Sequence, residues 1–403
     1  MRLRRNSFFS ALMLVLSSGC AAPRAVPPPE LTQLASADSH LAVARSDLPN
    51  NLAQLLHSPL SPAAADQHFA TPARNILVLS GGGRDGAYSA GVLAGWSAAG
   101  SRPTFDVVTG ISTGALIAPL AFLGARYDQY LSDSYTKVHT EDIYRRRPYL
   151  SLLWSESFAD SAPLRHRIEA QVTDAFLAEI AQAHAAGRRL YVGTTNLDTG
   201  RLVLWDLGAI AAGTDPDKRE LFQKILLASC SIPGLLPPVP INIDVHGKRY
   251  TELHVDGGVS ASMFLSPYMA LGNQTGALTN VYVIVAGKLS SEPRSVERRL
   301  IAVSGESLQK LLIAQTRGDL LRVFLLTRLT GGRFAVASVP QELAVSQDNT
   351  RFKMDEMRQL FDAGFARAAD GTAWRSTAPG VSPEEWASPR SGASFNAARV
   401  KNP

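Results

Sequence analysis

Arg74-Asn75-Ile76-Leu77-Val78-Leu79-Ser80-Gly81-Gly82-Gly83-Arg84-Asp85-Gly86 is the stretch whose reading decides the fold. Its first half is rich in branched aliphatics and reads as a buried strand; the glycines that follow allow backbone conformations a side chain would forbid. Ala87 to Trp96 then spaces apolar residues as a helix does. A glycine loop between a strand and a helix start presents free N–H groups where the helix dipole favours negative charge. A developing oxyanion is one such charge.

The pattern of strand, tight turn and helix repeats downstream. Phe105-Asp106-Val107-Val108-Thr109 leads into Gly110-Ile111-Ser112-Thr113-Gly114, and Ala115-Leu116-Ile117-Ala118 leads away. A G-x-S-x-G sequence at such a junction is the signature of a nucleophile elbow, in which the serine hydroxyl is held exposed on a strained turn and the glycines relieve crowding. Ser112 is therefore the candidate nucleophile. The glycine loop also satisfies the dinucleotide fingerprint G-x-G-x-x-G, but that site needs an acidic residue at the end of the second strand. Asp106 stands at the start of that strand, and the serine turn occupies its end.

A serine hydroxyl needs a base. The familiar hydrolase order puts a histidine after the acid, yet the last histidine is His254, ahead of Asp256-Gly257-Gly258. The choice falls between an unusual histidine and a dyad of Ser112 with Asp256. His254 lies two positions before Asp256 on an extended run, so both can share a strand face; the alternative is an ordinary hydrogen-bonded strand histidine. The other histidines show no pairing suggestive of a metal site, and the residues call for no cofactor.

In that order Gly81-Gly82-Gly83-x-x-Gly86, Gly110-x-Ser112-x-Gly114 and Asp256-Gly257-Gly258 resemble the motifs of the patatin-like phospholipases, over roughly residues 74 to 290. The resemblance implies a lipid acyl hydrolase with a Ser112–Asp256 dyad and no histidine. It also implies an oxyanion hole from Gly81, Gly82 and Gly83, and a three-layer α/β/α sandwich with a mostly parallel sheet, related to α/β hydrolases. One position departs from the family: Asp85 stands where a basic residue usually precedes the last glycine, with Arg84 one place earlier. A carboxylate beside an anion hole opposes a negative intermediate, so either Asp85 faces away or Arg84 takes the positive role. Esterase or thioesterase action on soluble acyl compounds, and a catalytically silent lipid-binding lipoprotein, remain the alternative functions.

The N-terminus has the layout of a lipoprotein signal: basic Met1 to Arg5, apolar Phe8 to Leu16, then Ser17-Ser18-Gly19-Cys20. Cys20 is the candidate lipidation site, and Ala21 after it suggests, by analogy with bacterial lipoprotein sorting, the outer membrane facing the periplasm. A lipid there would tether the enzyme to the bilayer that supplies its substrate. Cys230, the only other cysteine, reads as a small packed residue, because a catalytic thiol wants a histidine partner and an exposed turn.

The formal charge of +5 falls to +2 once the three arginines of residues 1–19 are removed, which makes no case for nucleic-acid binding. Residues 20–72 read as a tether and 73–290 as the catalytic domain. Residues 291–371 read as a helical region packed on the core, with an interruption at Gly318, and 372–403 as a loose tail. Pro233, Pro237, Pro238 and Pro240 read as a rigid connection, with lining of an acyl site as the alternative. Oligomeric state is not legible.

Overall fold

The computed structural model describes residues 42–43 and 74–379, apart from 149, 152–153, 246, 272–277, 292–294 and 347. Cys20, the signal segment, most of the tether and residues 380–403 lie outside the described residues. Along the chain the elements are β1 (Ala42–Val43), β2 (Arg74–Leu79), α1 (Gly86–Ala98), β3 (Val107–Ile111), α2 (Thr113–Leu123) and α3 (Asp128–Thr136). There follow β4 (Arg145–Arg146), β5 (Ala159–Asp160), α4 (Ala162–Gln171), α5 (Asp174–Ala185), β6 (Arg189–Asn196), β7 (Arg201–Asp206), α6 (Leu207–Ala212) and α7 (Lys218–Ser229). The last are β8 (Val239–Val245), β9 (Lys248–Asp256), α8 (Pro267–Leu271), β10 (Thr279–Val285), α9 (Leu300–Leu329), β11 (Arg333–Ser338) and α10 (Met354–Ala369).

Five strands, in the order β11-β10-β2-β3-β6, run parallel and form more than half of a sheet that has nine strands among the described residues, with β11 at one edge. Antiparallel β7 and β1 extend one edge, and β9 pairs with the end of β6 while holding β8 on its other side. Because successive strand residues point to opposite faces, each central strand feeds two cores. Leu77 and Leu79 of β2 join the side packed by α1, α2 and α10, whereas Ile76 and Val78 join the side covered by α9. Strands buried on both faces read as continuous Ile/Leu/Val runs, and that is why 76–79 and 283–285 are uniformly aliphatic. The result is a three-layer α/β/α sandwich.

Three sequence expectations change. Residues 291–371 do not only add helices: β11 extends the sheet as a parallel neighbour of β10, with Val281 opposite Phe334 and Val285 opposite Ser338. Its separation from β10 by a 30-residue helix hid that pairing from local pattern. α9 also runs unbroken through Gly318, where nothing lies within 4 Å of a would-be Cβ. Gly costs only about 1 kcal/mol in a helix interior, which packing of Leu320 and Val323 into the core outweighs. Finally, residues 373–378 are docked rather than loose: Arg375 bridges Val336 of β11, and the Trp374 ring packs against Trp96 and Tyr282.

Candidate active site

Both glycine motifs sit at the carboxyl ends of neighbouring parallel strands. β2 ends at Leu79 and β3 at Ile111, with Leu79 opposite Gly110 in register, so the two turns face one another above the sheet. Ser112 is the one non-glycine residue with positive φ among the described residues, at φ 54° and ψ −124°. It is the N-cap of α2. The flanking glycines make this elbow possible: a Cβ at Gly110 would lie 2.4 Å from the Gly114 carbonyl oxygen, and one at Gly114 would lie 2.6 Å from that of Leu79.

A non-glycine residue held in such a region stores on the order of 1–3 kcal/mol. Ser112→Gly should therefore be more stable than Ser112→Ala by about 1 kcal/mol, since glycine relieves the strain but loses more chain entropy on folding. Urea denaturation of the two inactive variants measures the difference; equal midpoints would mean the turn is unstrained.

β9 delivers Asp256 to the same place, pairing it with Thr194 at the end of β6. The Ser112 hydroxyl donates to Asp256 Oδ2 at 2.6 Å, and Oδ1 accepts from the Gly258 amide at 2.7 Å. Burial, partly offset by these two hydrogen bonds, pushes the Asp256 carboxyl up to about 6. Gly257 is tight against β6, where a Cβ would come within 2.5 Å of the Gly193 carbonyl oxygen. No imidazole lies between serine and aspartate. His254 is fully buried, with Nδ1 2.9 Å from the Thr194 hydroxyl and Nε2 3.0 Å from Glu252. Of the two roles open to it from sequence, it takes that of the hydrogen-bonded strand histidine.

The glycine loop is narrower as a donor set than the sequence implied. The Gly81 amide donates to the Ser262 carbonyl at 2.9 Å, and the Arg84 amide donates to that of Asn349, also at 2.9 Å. That leaves the Gly82 and Gly83 amides, which meet no backbone or side-chain acceptor among the described residues. Gly81 is thus removed from the oxyanion donors expected from sequence, and Arg84 is removed as well. The Arg84 guanidinium is fully buried and ion-paired to Asp85 and Glu356, and it donates to the Ser346 carbonyl at 2.6 Å. It ties the loop to α10 and to the chain before it instead of facing a substrate. Asp85 is correspondingly turned to Arg84; burial pushes its carboxyl up to about 6, with Arg84 pulling the other way. Gly86, the motif's last glycine, is close against Thr113, with room for a Cβ only 2.1 Å from Oγ1.

Sequence reasoning missed the supporting residues. Ser229 Oγ accepts from the Ser112 amide at 2.9 Å and donates to the Gly193 carbonyl at 2.8 Å, which links elbow, α7 and β6. Asn349 donates from Nδ2 to the Gly82 carbonyl at 3.2 Å. Neither stands in a motif, so no local signal marks them. Cys230 is buried as expected, its thiol donating to the Ser112 carbonyl at 3.3 Å. Burial, reinforced by Asp256, pushes that thiol well above its usual range, so it is no thiolate.

A cleft with about 900 Å³ of atom-free space, its open mouth included, leads away from Ser112 and Gly83. Its walls are mostly apolar: Leu116 and Leu120 of α2, Val138, Ile143, Leu164 and Ile168 of α4, and Phe352. Ile232, Leu235 and Leu236 from the proline-bearing connection complete it, so that segment lines the cleft as well as stiffening the chain. Among the described residues no group of three or more His, Cys, Asp or Glu side chains could hold a metal ion, and no helix is long and apolar enough to cross a membrane.

A serine on a strained strand-to-helix turn, a carboxylate on its hydroxyl and, among the described residues, two unbonded amides beside it have the geometry of a nucleophile elbow in an α/β/α architecture. Residues 77–267 match the patatin-like phospholipase family model, so the chain carries a patatin-like phospholipase domain there. The family supports lipid hydrolase activity. No curated protein matches the chain. Among solved structures it is similar to VipD from Legionella pneumophila, at 11% identity and TM-score 0.31, covering 73% of this chain and 67% of that one. It is also similar to the type III effector protein ExoU, at 12% identity and TM-score 0.19, covering 74% of this chain and 54%, about half, of that one. The assignment rests on the family model.

Proposed function

We propose that the protein is a serine acyl hydrolase that cleaves carboxylic esters of lipids through Ser112 and Asp256. The reading is carried by one observation, the 2.6 Å hydrogen bond from the Ser112 hydroxyl to a buried carboxylate. In this reading Ser112 Oγ attacks the ester carbonyl carbon while its proton passes to Asp256 Oδ2. The oxyanion forms against the Gly82 and Gly83 amides, at the N-terminal end of α1. Collapse expels the alcohol, which takes the proton from Asp256 and leaves an acyl-serine. Asp256 then draws a proton from water as the water oxygen attacks the acyl carbon; collapse breaks the bond to Ser112 Oγ, which takes the proton back from Asp256, and the carboxylic acid leaves. The apolar cleft accommodates the acyl chain, which favours lipid over small soluble acyl compounds.

Turnover of a long-chain phospholipid against a short water-soluble ester, with Ser112→Ala as control, tests this. Activity on the short ester alone supports a soluble-ester enzyme, and no serine-dependent activity supports a silent lipid-binding protein. A base must be ionised, so kcat/KM should rise with pH through about 6, where burial holds Asp256. Asp85 titrates in the same range, and Asp85→Asn distinguishes the two: the limb should remain near pH 6. Loss of the limb in that variant would reassign it. We further infer that Cys20 is acylated and holds the protein at the outer membrane; the mass of the membrane-extracted protein tests it.

A further inference from the structure

The connection between β4 and β5 combines features that the catalytic reading does not use. β4 and β5 pair antiparallel, Arg145 opposite Asp160 and Arg146 opposite Ala159. On the connection Leu150 is 77% exposed, Trp154 75% and Phe158 60%. Three consecutive arginines, 145 to 147, enter it, and the hairpin carries two carboxylates, Glu156 and Asp160, which leaves a net positive charge. Arg145 and Arg146 are exposed, and among the described residues none of the three makes an ion pair.

This hairpin is joined to the cleft. The Phe158 and Ala159 amides donate to the Gly234 and Leu235 carbonyls at 2.8 and 2.9 Å. Tyr144, Ala159 and Leu236 form a small core of their own, against which Ile143, Leu235 and Phe352 pack. Ile143, Tyr144, Leu235, Leu236 and Phe352 all line the cleft. The base of the hairpin is thus anchored on residues that line the cleft.

We propose that the β4–β5 hairpin is a docking surface for an anionic lipid bilayer, seating the cleft mouth against the membrane. A polar-headed interface accepts tryptophan and phenylalanine at headgroup depth, and arginines are drawn to negatively charged headgroups. Exposure of three large apolar residues beside unpaired cations suits that interface, whereas a protein partner in water gives no reason for the uncompensated charge. The long helix α9 also exposes leucines, but it covers the sheet face opposite the cleft, where docking would turn the site away from its substrate. The proposal rests on the lipid-hydrolase reading for its purpose.

The test is co-sedimentation of the full chain, carrying Cys20→Ser so that no acyl chain on that residue contributes, with vesicles. Phosphatidylcholine alone is compared with phosphatidylcholine containing phosphatidylglycerol. Binding should be stronger to the anionic vesicles. Arg145→Gln with Arg146→Gln should lower it about thirtyfold, two arginines' share of the attraction, and Trp154→Ser should lower it about tenfold on both vesicle types. Short-ester turnover should stay at the parent level in both variants. Parent-level vesicle binding by the variants overturns the proposal, as does a parent that binds no vesicles, including one that instead dimerises through Trp154. Short-ester hydrolysis that survives Ser112→Ala overturns the catalytic reading alone and leaves the vesicle result standing.

Discussion

Asp256→Asn should lower ester turnover by about a hundred- to ten-thousandfold while making the folded protein more stable at neutral pH. The activity loss follows because the amide cannot take the Ser112 proton, and a lost general base costs about 10²–10⁴ in rate. The local geometry survives the change: Oδ1 still accepts from Gly258, and the new Nδ2 can donate to the serine oxygen where Oδ2 now accepts. The stability gain follows from the sign of the shift. Burial raises the folded carboxyl to about 6, above its unfolded value of about 3.9, so the folded state holds the proton more tightly. Ionisation therefore costs stability as pH rises from about 4 to about 6, and the full cost is present at pH 7. Asparagine removes that cost, a gain of up to about 3 kcal/mol. Thermal denaturation should show the variant melting above the parent at pH 7, with the gap closing toward pH 4. A variant that keeps parental turnover would remove Asp256 from the mechanism.

Gly82→Ala should be the most damaging single methyl in the glycine loop. Its Cβ would lie 1.8 Å from the Ala286 carbonyl oxygen and 2.7 Å from the Ala286 Cβ. Neither can yield, because the Ala286 amide is held by Ser80 Oγ at 2.9 Å and the Ser80 amide by the Ile284 carbonyl at 3.1 Å. The loop must move instead, and with it the Gly82 and Gly83 amides. Displaced oxyanion donors cost about 10²–10³ in kcat, and overpacking costs about 1–3 kcal/mol of stability. Gly81→Ala is the comparison: its Cβ meets nothing closer than the Ser112 Cβ at 3.1 Å, and its amide is already committed to Ser262. Steady-state kinetics on a soluble ester should therefore show a larger kcat loss at 82 than at 81; the reverse order would move the oxyanion hole away from Gly82.

The legible part of the site was the part carried by backbone-demanding residues. Gly110 and Gly114 leave a trace in sequence because the elbow tolerates no Cβ there, and β2, β3 and β10 because strands buried on both faces carry aliphatic runs, Ile76 to Leu79, Val107-Val108 and Val283 to Val285. β11 and residues 373–378 escaped because their partners, β10 and Val336 respectively, are chosen by long-range pairing that no local period records. Arg84 was misplaced for a related reason. Its position in a glycine loop suggests an anion ligand, but its actual partner Glu356 lies 272 residues downstream.

The sequence by itself determined the kind of chemistry: a strand-turn-helix serine, a glycine loop and a late aspartate are local patterns, each dictated by what one turn of backbone can tolerate. Only the tertiary structure decided which atoms meet. It set Asp256 on Ser112 with His254 turned to Thr194 and Glu252, and left Gly82 and Gly83 as the free donors. Those outcomes depend on strand register across a nine-stranded sheet. Register is fixed by packing among residues far apart in the chain, which no short stretch of sequence contains.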